Sequence, residues 1–225
     1  MVSKCNNDTL KNISSLYDQK LSTLPIWSFI CSVKVAVVKY NAGNTQSLGF
    51  ALDRLGVNYV VTGDPDTLRS ADKIIFPGQG EASSAMHYLK QKGLDKLLTD
   101  LKQPFLGICL GMQLMCKHTE ENNTEGLGII DAKVKRFSGS LKVPHMGWNT
   151  IQQLKGDLFH HIHEQSYMYF VHSYFVEPCH ATIASCEYGQ TFSVALQFQN
   201  FYAIQPHPEK SAEAGMKLLE NFIRI

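Results

Sequence analysis

From residue 33 onward, short apolar runs alternate with stretches in which apolar residues recur at helical spacing. Residues 33–38, Val-Lys-Val-Ala-Val-Val, read as a strand buried on both faces. A turn at Asn41-Ala42-Gly43-Asn44 follows, then a helix over 45–55 closed by Gly56. Strands are predicted at 59–62 and 73–76, the second stopped by Pro77-Gly78-Gln79-Gly80. Helices over 81–90 and 94–101 precede a strand at 105–108, which runs into Cys109 and a helix at 112–117. This alternation predicts a parallel sheet with helices on both faces. After Asn122 short β-like runs take over, at 133–137, 167–176, 181–184, 194–199 and 202–204, and a helix closes the chain at 211–223. With no repeat or linker, the pattern predicts one α/β domain over 33–225 with a mixed central sheet.

Residues 1–32 stand apart. Leu10, Ile13, Leu16, Tyr17 and Leu21 are spaced for a short amphipathic helix. The apolar stretch 24–31 comes late for a signal peptide and contains Pro25 and Ser28; a transit peptide would not lack Arg while carrying Asp8 and Asp18. An appended extension is expected.

Composition narrows the function. Of 225 residues, 44% are hydrophobic, enough for a sizeable core, and only 18% are charged. That is below the usual share of roughly 25%, which points to surface that is uncharged or covered by a partner. Lys and Arg number 21 against 20 Asp and Glu, a balance of +1, which gives no electrostatic footprint for nucleic acid or an anionic membrane. The apolar runs are too short to span a bilayer. The six cysteines form no CxxC pair and suit neither a disulfide framework nor a zinc site, so a soluble protein of the reducing cytoplasm is expected.

The chemistry centres on Gly107-Ile108-Cys109-Leu110-Gly111-Met112-Gln113. A nucleophile on a sharp strand-to-helix turn needs small residues two places either side, where Cα atoms crowd the bend. Such a turn lifts the sulfur above the C-terminal edge of the sheet, at a helix N-terminus that favours thiolate. The alternative is a buried structural cysteine with incidental glycines. Downstream stands Gln205-Pro206-His207-Pro208-Glu209-Lys210-Ser211, in which an extended backbone would put Glu209 and His207 on one face. Its alternative is a charged surface turn. Pro77-Gly78-Gln79-Gly80 can aim a backbone N–H at a developing oxyanion, with the Leu110 N–H as second donor.

Taken together, these segments resemble class I, triad-type glutamine amidotransferases. Within that family, Pro144-His145-Met146-Gly147-Trp148-Asn149, Asn41 to Asn44 and Phe170-Val171-His172-Ser173-Tyr174 are similar to the glutaminase subunits of imidazole glycerol phosphate synthase. The resemblance runs from about Val33 to the C-terminus and implies a flavodoxin-like fold. It implies that Cys109 attacks the glutamine side-chain amide, that His207 held by Glu209 protonates departing ammonia, and that a γ-glutamyl thioester is hydrolysed. Gln113, Gly78, Gly80, Ser173 and Tyr174 match substrate-pocket positions, and the amide of Gln79 matches an oxyanion donor.

No metal or organic cofactor is implied. The implied partner is a separate (β/α)8-barrel cyclase, since a barrel needs roughly 250 residues of its own. Asn41, Asn44, Met146, Trp148 and Lys210 would face it, although the sequence alone slightly favours core packing for Met146 and Trp148. Lys39, Asn41, Gln79 and Pro206 depart from residues usual in the family (Asp, Gly, Val and Phe). The competing expectations are a subunit of another amidotransferase, a non-catalytic binding subunit, and a free-standing cysteine hydrolase. The histidines of Phe159-His160-His161-Ile162-His163 are read as exposed loop residues in preference to a metal site, and Cys116 as packing.

Overall fold

The computed structural model describes residues 33–42 and 45–225. The expected helix within 1–32 and the expected interface residue Asn44 lie outside the described residues. The first half forms β1 (Lys34–Val38), α1 (Thr45–Arg54), β2 (Asn58–Thr62), α2 (Pro65–Ser70), β3 (Lys73–Gly78), α3 (Ala82–Gln91), α4 (Leu94–Asp100), β4 (Phe105–Cys109) and α5 (Leu110–Met115). The second half forms β5 (Cys116–Thr119), β6 (Thr124–Glu125), β7 (Ile130–Arg136), β8 (His145–Thr150), β9 (Tyr167–His172), β10 (Tyr174–Val176), β11 (Thr182–Glu187), β12 (Thr191–Phe198), β13 (Phe201–Ile204) and α6 (Ala212–Arg224).

The main sheet runs β2-β1-β3-β4-β13-β12-β10-β7-β5-β6, with β11 paired to β12. From β2 to β13 the pairing is parallel; β13–β12, β12–β10 and β10–β7 are antiparallel. The predicted mixed sheet is therefore present. β8 and β9 form a separate antiparallel ribbon.

Burial explains why β1 is apolar from Val35 to Val38. Val35 and Val37 enter one core with Leu48 and Leu52 of α1 and Leu218 and Phe222 of α6. Ala36 and Val38 enter the other with Leu68, Leu89 and Leu98 of α2, α3 and α4. A strand covered on both sides has no polar face to alternate with.

Three local expectations change. α2 was not predicted, although Asp64 caps it by accepting from the Thr67 N–H at 2.8 Å and Pro65 occupies its first turn. β3 continues through Pro77 and Gly78, pairing with β4 as far as Gly78↔Cys109. Its ladder with β1 has ended at Ile75, so the N–H that Pro77 lacks is not missed there. α5 occupies 110–115, earlier than the predicted 112–117, because Cys116 already pairs with Ile130 of β7.

Candidate active site

Cys109 ends β4 in a conformation that few residues adopt, φ 54° and ψ −109°. Holding a non-glycine residue there costs about 1–3 kcal/mol, and the surrounding packing imposes it. A Cβ on Gly111 would stand 2.0 Å from the Phe76 carbonyl oxygen, and one on Gly107 would stand 2.4 Å from Met115 Sδ. The small residues expected either side of the nucleophile are thus required by close packing, of backbone at Gly111 and chiefly of the Met115 side chain at Gly107. Gly78 serves the same bend: its Cβ would meet Gly111 N and Leu110 Cβ at 2.6 Å and Tyr40 Oη at 2.7 Å. The Tyr40 hydroxyl donates to the Pro77 carbonyl at 2.8 Å, tying the end of β3 to the chain after β1.

His207 is extended at φ −94° and ψ 99°, but Pro208–Lys210 form a 3-10 turn that folds Glu209 back toward the ring. The turn, more than shared strand geometry, brings His207 Nδ1 and Glu209 Oε1 to 2.9 Å. Both side chains are about 95% covered. The backbone of His207 is fixed by its N–H donating to Tyr169 O at 2.9 Å and by Ser211 Oγ donating to His207 O at 2.6 Å. His207 Nε2 is buried without a hydrogen-bond partner among the described residues, which leaves it as the nitrogen free to exchange a proton. Burial pushes the imidazolium pKa down, yet interactions with Cys109 and then Glu209 outweigh it and raise the value from 6.5 to about 10.

Between the elbow and β10 lies a pocket of about 260 Å³ lined by Gln79, Gly80, Cys109, Leu110, Gln113, Ser173, Tyr174 and His207. It is slightly below the range of roughly 300–1,000 Å³ typical for drug-sized ligands, and suits a small metabolite. Gly78 does not line it; that glycine packs beneath the elbow. Gly80, at φ +132°, occupies backbone space open to glycine. A larger cavity of about 670 Å³ beside Trp148 and α6 contains none of Cys109, His207 and Glu209.

Gln113 is buried, and its amide nitrogen donates to Tyr174 O and to Gln205 Oε1, both at 3.0 Å. Since a carbonyl only accepts, this fixes the amide orientation and leaves Gln113 Oε1 as the atom to offer a ligand. Gln205 Nε2 in turn lies 3.6 Å from Cys109 Sγ. Sequence reasoning missed Gln205 as a neighbour of the sulfur, and also missed His172 and Glu121, both of which line the pocket. Glu121 Oε2 accepts the Ala82 N–H at 2.8 Å at the start of α3, and burial raises its carboxyl pKa. Only a tertiary contact reveals it, 39 residues from Ala82.

The expected partner-facing residues separate into two places. Met146 and Trp148 are 62% and 52% exposed on β8, so the packing alternative is overturned. Trp148 meets Tyr169 edge to face at 5.9 Å, and Lys210 Nζ lies over the same ring at 5.9 Å. Asn41 is exposed elsewhere, donating to Ser84 O at 3.1 Å. His160, His161 and His163 are exposed, and no group of side chains suited to a metal occurs among the described residues. Cys116 is buried, as expected of packing, and burial raises its thiol pKa.

The model of the glutamine amidotransferase class-I family matches residues 31–225. The chain belongs to that family. This amidotransferase is 54% identical over 196 residues to the imidazole glycerol phosphate synthase subunit HisH of Bacteroides fragilis, covering 86% of this chain and 100% of the relative. It is 43% identical over 200 residues to subunit HisH 1 of Vibrio vulnificus, covering 85% and 98%. The structure of PurLQS from Thermotoga maritima has a chain that superposes with a TM-score of 0.64 at 17% identity, covering 85% and 98%, a likeness of fold. A glutamine amidotransferase from Methylobacillus flagellatus superposes with a TM-score of 0.54 at 13% identity, covering 82% of this chain and 73% of that one, again a likeness of fold.

Proposed function

We propose that this amidotransferase is the glutaminase subunit of imidazole glycerol phosphate synthase, hydrolysing L-glutamine with Cys109, His207 and Glu209 and passing ammonia to a (β/α)8-barrel cyclase. The observation that carries the site assignment is the convergence, on one small pocket, of a strained cysteine on a glycine-flanked turn and a sealed His–Glu pair. The relatives named HisH carry the pathway: they are synthase subunits, and the chain covers their whole length or nearly so.

The reaction follows from these groups. The Cys109 thiolate attacks the side-chain amide carbon of glutamine, and charge on the oxygen develops toward the Gln79 and Leu110 N–H groups. His207, oriented by Glu209, gives the Nε2 proton to the departing nitrogen, so that ammonia leaves and a γ-glutamyl thioester remains. Water then attacks the thioester. His207 Nε2 takes a proton from it, glutamate departs, and the thiolate returns.

Glu121 is the acidic side chain lining the pocket, and with Gln113 Oε1 it supplies acceptors suited to the substrate's α-ammonium. Ser173 and Tyr174 form the facing wall. Trp148 and Lys210, which meet on the Tyr169 ring, provide the docking face together with the exposed Met146 of the same strand as Trp148. Asn41 and Asn44 are assigned to the interface by their sequence resemblance. The Gly-flanked Gln79 peptide turns its N–H inward when the partner binds. Residues 33–225 form the catalytic domain, with 1–32 as an extension, in a cytoplasmic setting. No cofactor enters the scheme.

The identity is tested by supplying the nucleotide substrate and the cyclase subunit with either glutamine or an ammonium salt. Imidazole glycerol phosphate should form from ammonium without this chain, and from glutamine only when it is present. Formation from glutamine without the chain would overturn the assignment.

A further inference from the structure

His145 of β8 and His172 of β9 face each other across the ribbon and are about 95% buried. His145 Nδ1 lies 3.0 Å from His172 Nε2, and His172 Nδ1 lies 2.7 Å from Tyr174 O. At the other end Asn149 Nδ2 is 3.3 Å from His145 Nε2. His145 stacks on Tyr188 at 4.0 Å and on Phe170 at 4.9 Å between ring centres.

One placement of protons satisfies every contact. Tyr174 O only accepts, so His172 Nδ1 carries hydrogen and the neutral ring leaves Nε2 bare. His145 Nδ1 must then donate to it, which leaves His145 Nε2 to accept from Asn149. The Asn149 amide is fixed independently, because Nδ2 donates to Glu187 O at 2.9 Å and Oδ1 accepts the Thr150 N–H at 2.8 Å. A second proton on either ring would set two donors against each other. Burial opposes it as well, holding His145 near pKa 4 and His172 near 3.

The line of bonds does not stop at Tyr174. The same carbonyl takes the Gln113 amide, which reaches Gln205 and through it Cys109. At its outer end His145 is the neighbour in sequence of Met146, which stands exposed on the ribbon with Trp148.

We propose that His145 and His172 are positioning residues, a proton-ordered strut between the exposed β8–β9 ribbon and the Tyr174 carbonyl that sets Gln113. This rests on the assignment of the Cys109 pocket to glutamine. Neither histidine takes part in bond making; their effect falls on how well the pocket is formed for substrate.

Two substitutions separate the hydrogen bond from the packing. His145→Phe keeps a ring against Tyr188 and Phe170 but removes the donor. His145→Asn loses the ring but puts an amide N–H where Nδ1 stood. Glutamate release by the full chain with its cyclase is followed against glutamine concentration, alongside thermal unfolding. His145→Phe leaves the buried His172 acceptor unpaired, so it should lose some stability and raise KM about tenfold, with kcat within about twofold. His145→Asn should unfold earlier but keep KM within about twofold of wild type. An unchanged KM in His145→Phe, or a KM that tracks the lost ring in His145→Asn, overturns the strut. Imidazole nitrogen NMR of the wild-type chain reads the proton order without any activity: hydrogen on Nδ1 of both rings is expected, and hydrogen on Nε2 of either contradicts it. If the wild type released no glutamate, the glutamine assignment would fall while the NMR result still judged the strut.

Discussion

His207 Nδ1 sits 2.9 Å from Glu209 Oε1, in a pair almost wholly closed to solvent, and the pair depends on the three-residue turn that follows His207. Its raised pKa of about 10 gives a signed prediction. The stability contributed by the protonated ring is complete below the ordinary value of 6.5 and is lost as pH rises through about 10. An NMR titration of His207 should show a midpoint near 10 in the wild type. Cys109→Ala should lower the midpoint most and Glu209→Gln less, following the order of the two interactions. A wild-type midpoint near the ordinary value would contradict the coupling.

The elbow glycines should be intolerant for steric reasons. Gly111→Ala drives a methyl group into the Phe76 carbonyl, part of the buried backbone, whereas Gly107→Ala first meets the movable Met115 thioether. Denaturant unfolding should show Gly111→Ala losing about 3 kcal/mol or more and Gly107→Ala about 1–3 kcal/mol. Equal and negligible losses would mean that the turn relaxes freely.

Much of this site was legible because its chemistry is local in sequence. The spacing of Gly107, Cys109 and Gly111, and of His207 and Glu209, survives into the structure, as do the apolar strands that carry them. What was not legible depends on partners far along the chain. Gln205 reaches Cys109 across 96 residues, and Gln113 reaches Tyr174 across 61. α5 stops early because Cys116 is claimed by β7, a demand that no helical periodicity records. α2 is different: Asp64 and Pro65 announce it locally, and its single buried Leu68 is too little apolar signal to find by periodicity.

Glu121 supplies a test of substrate binding. Glu121→Gln keeps an acceptor but removes the charge offered to the α-ammonium, so KM for glutamine should rise about tenfold or more while kcat changes little. Glutamine saturation curves decide this. An unchanged KM would place the ammonium elsewhere.

The exposed Trp148 separates docking from folding. Trp148→Ala should leave the unfolding midpoint of the free chain nearly unchanged, because half of the side chain is already in solvent. Binding to the cyclase, measured by calorimetry, should weaken by about 30-fold or more, the size of an aromatic hot spot. Unaltered affinity would remove the β8–β9 ribbon from the interface.

The most direct measurement is glutamate release from glutamine by the purified chain, alone and then with the cyclase and its nucleotide substrate, with Cys109→Ala as the blank. The account predicts slow release alone, strong stimulation in the complex, and none from the blank under either condition. Full release by the chain alone, release that persists in Cys109→Ala, or silence in a complex that still assembles would each contradict it.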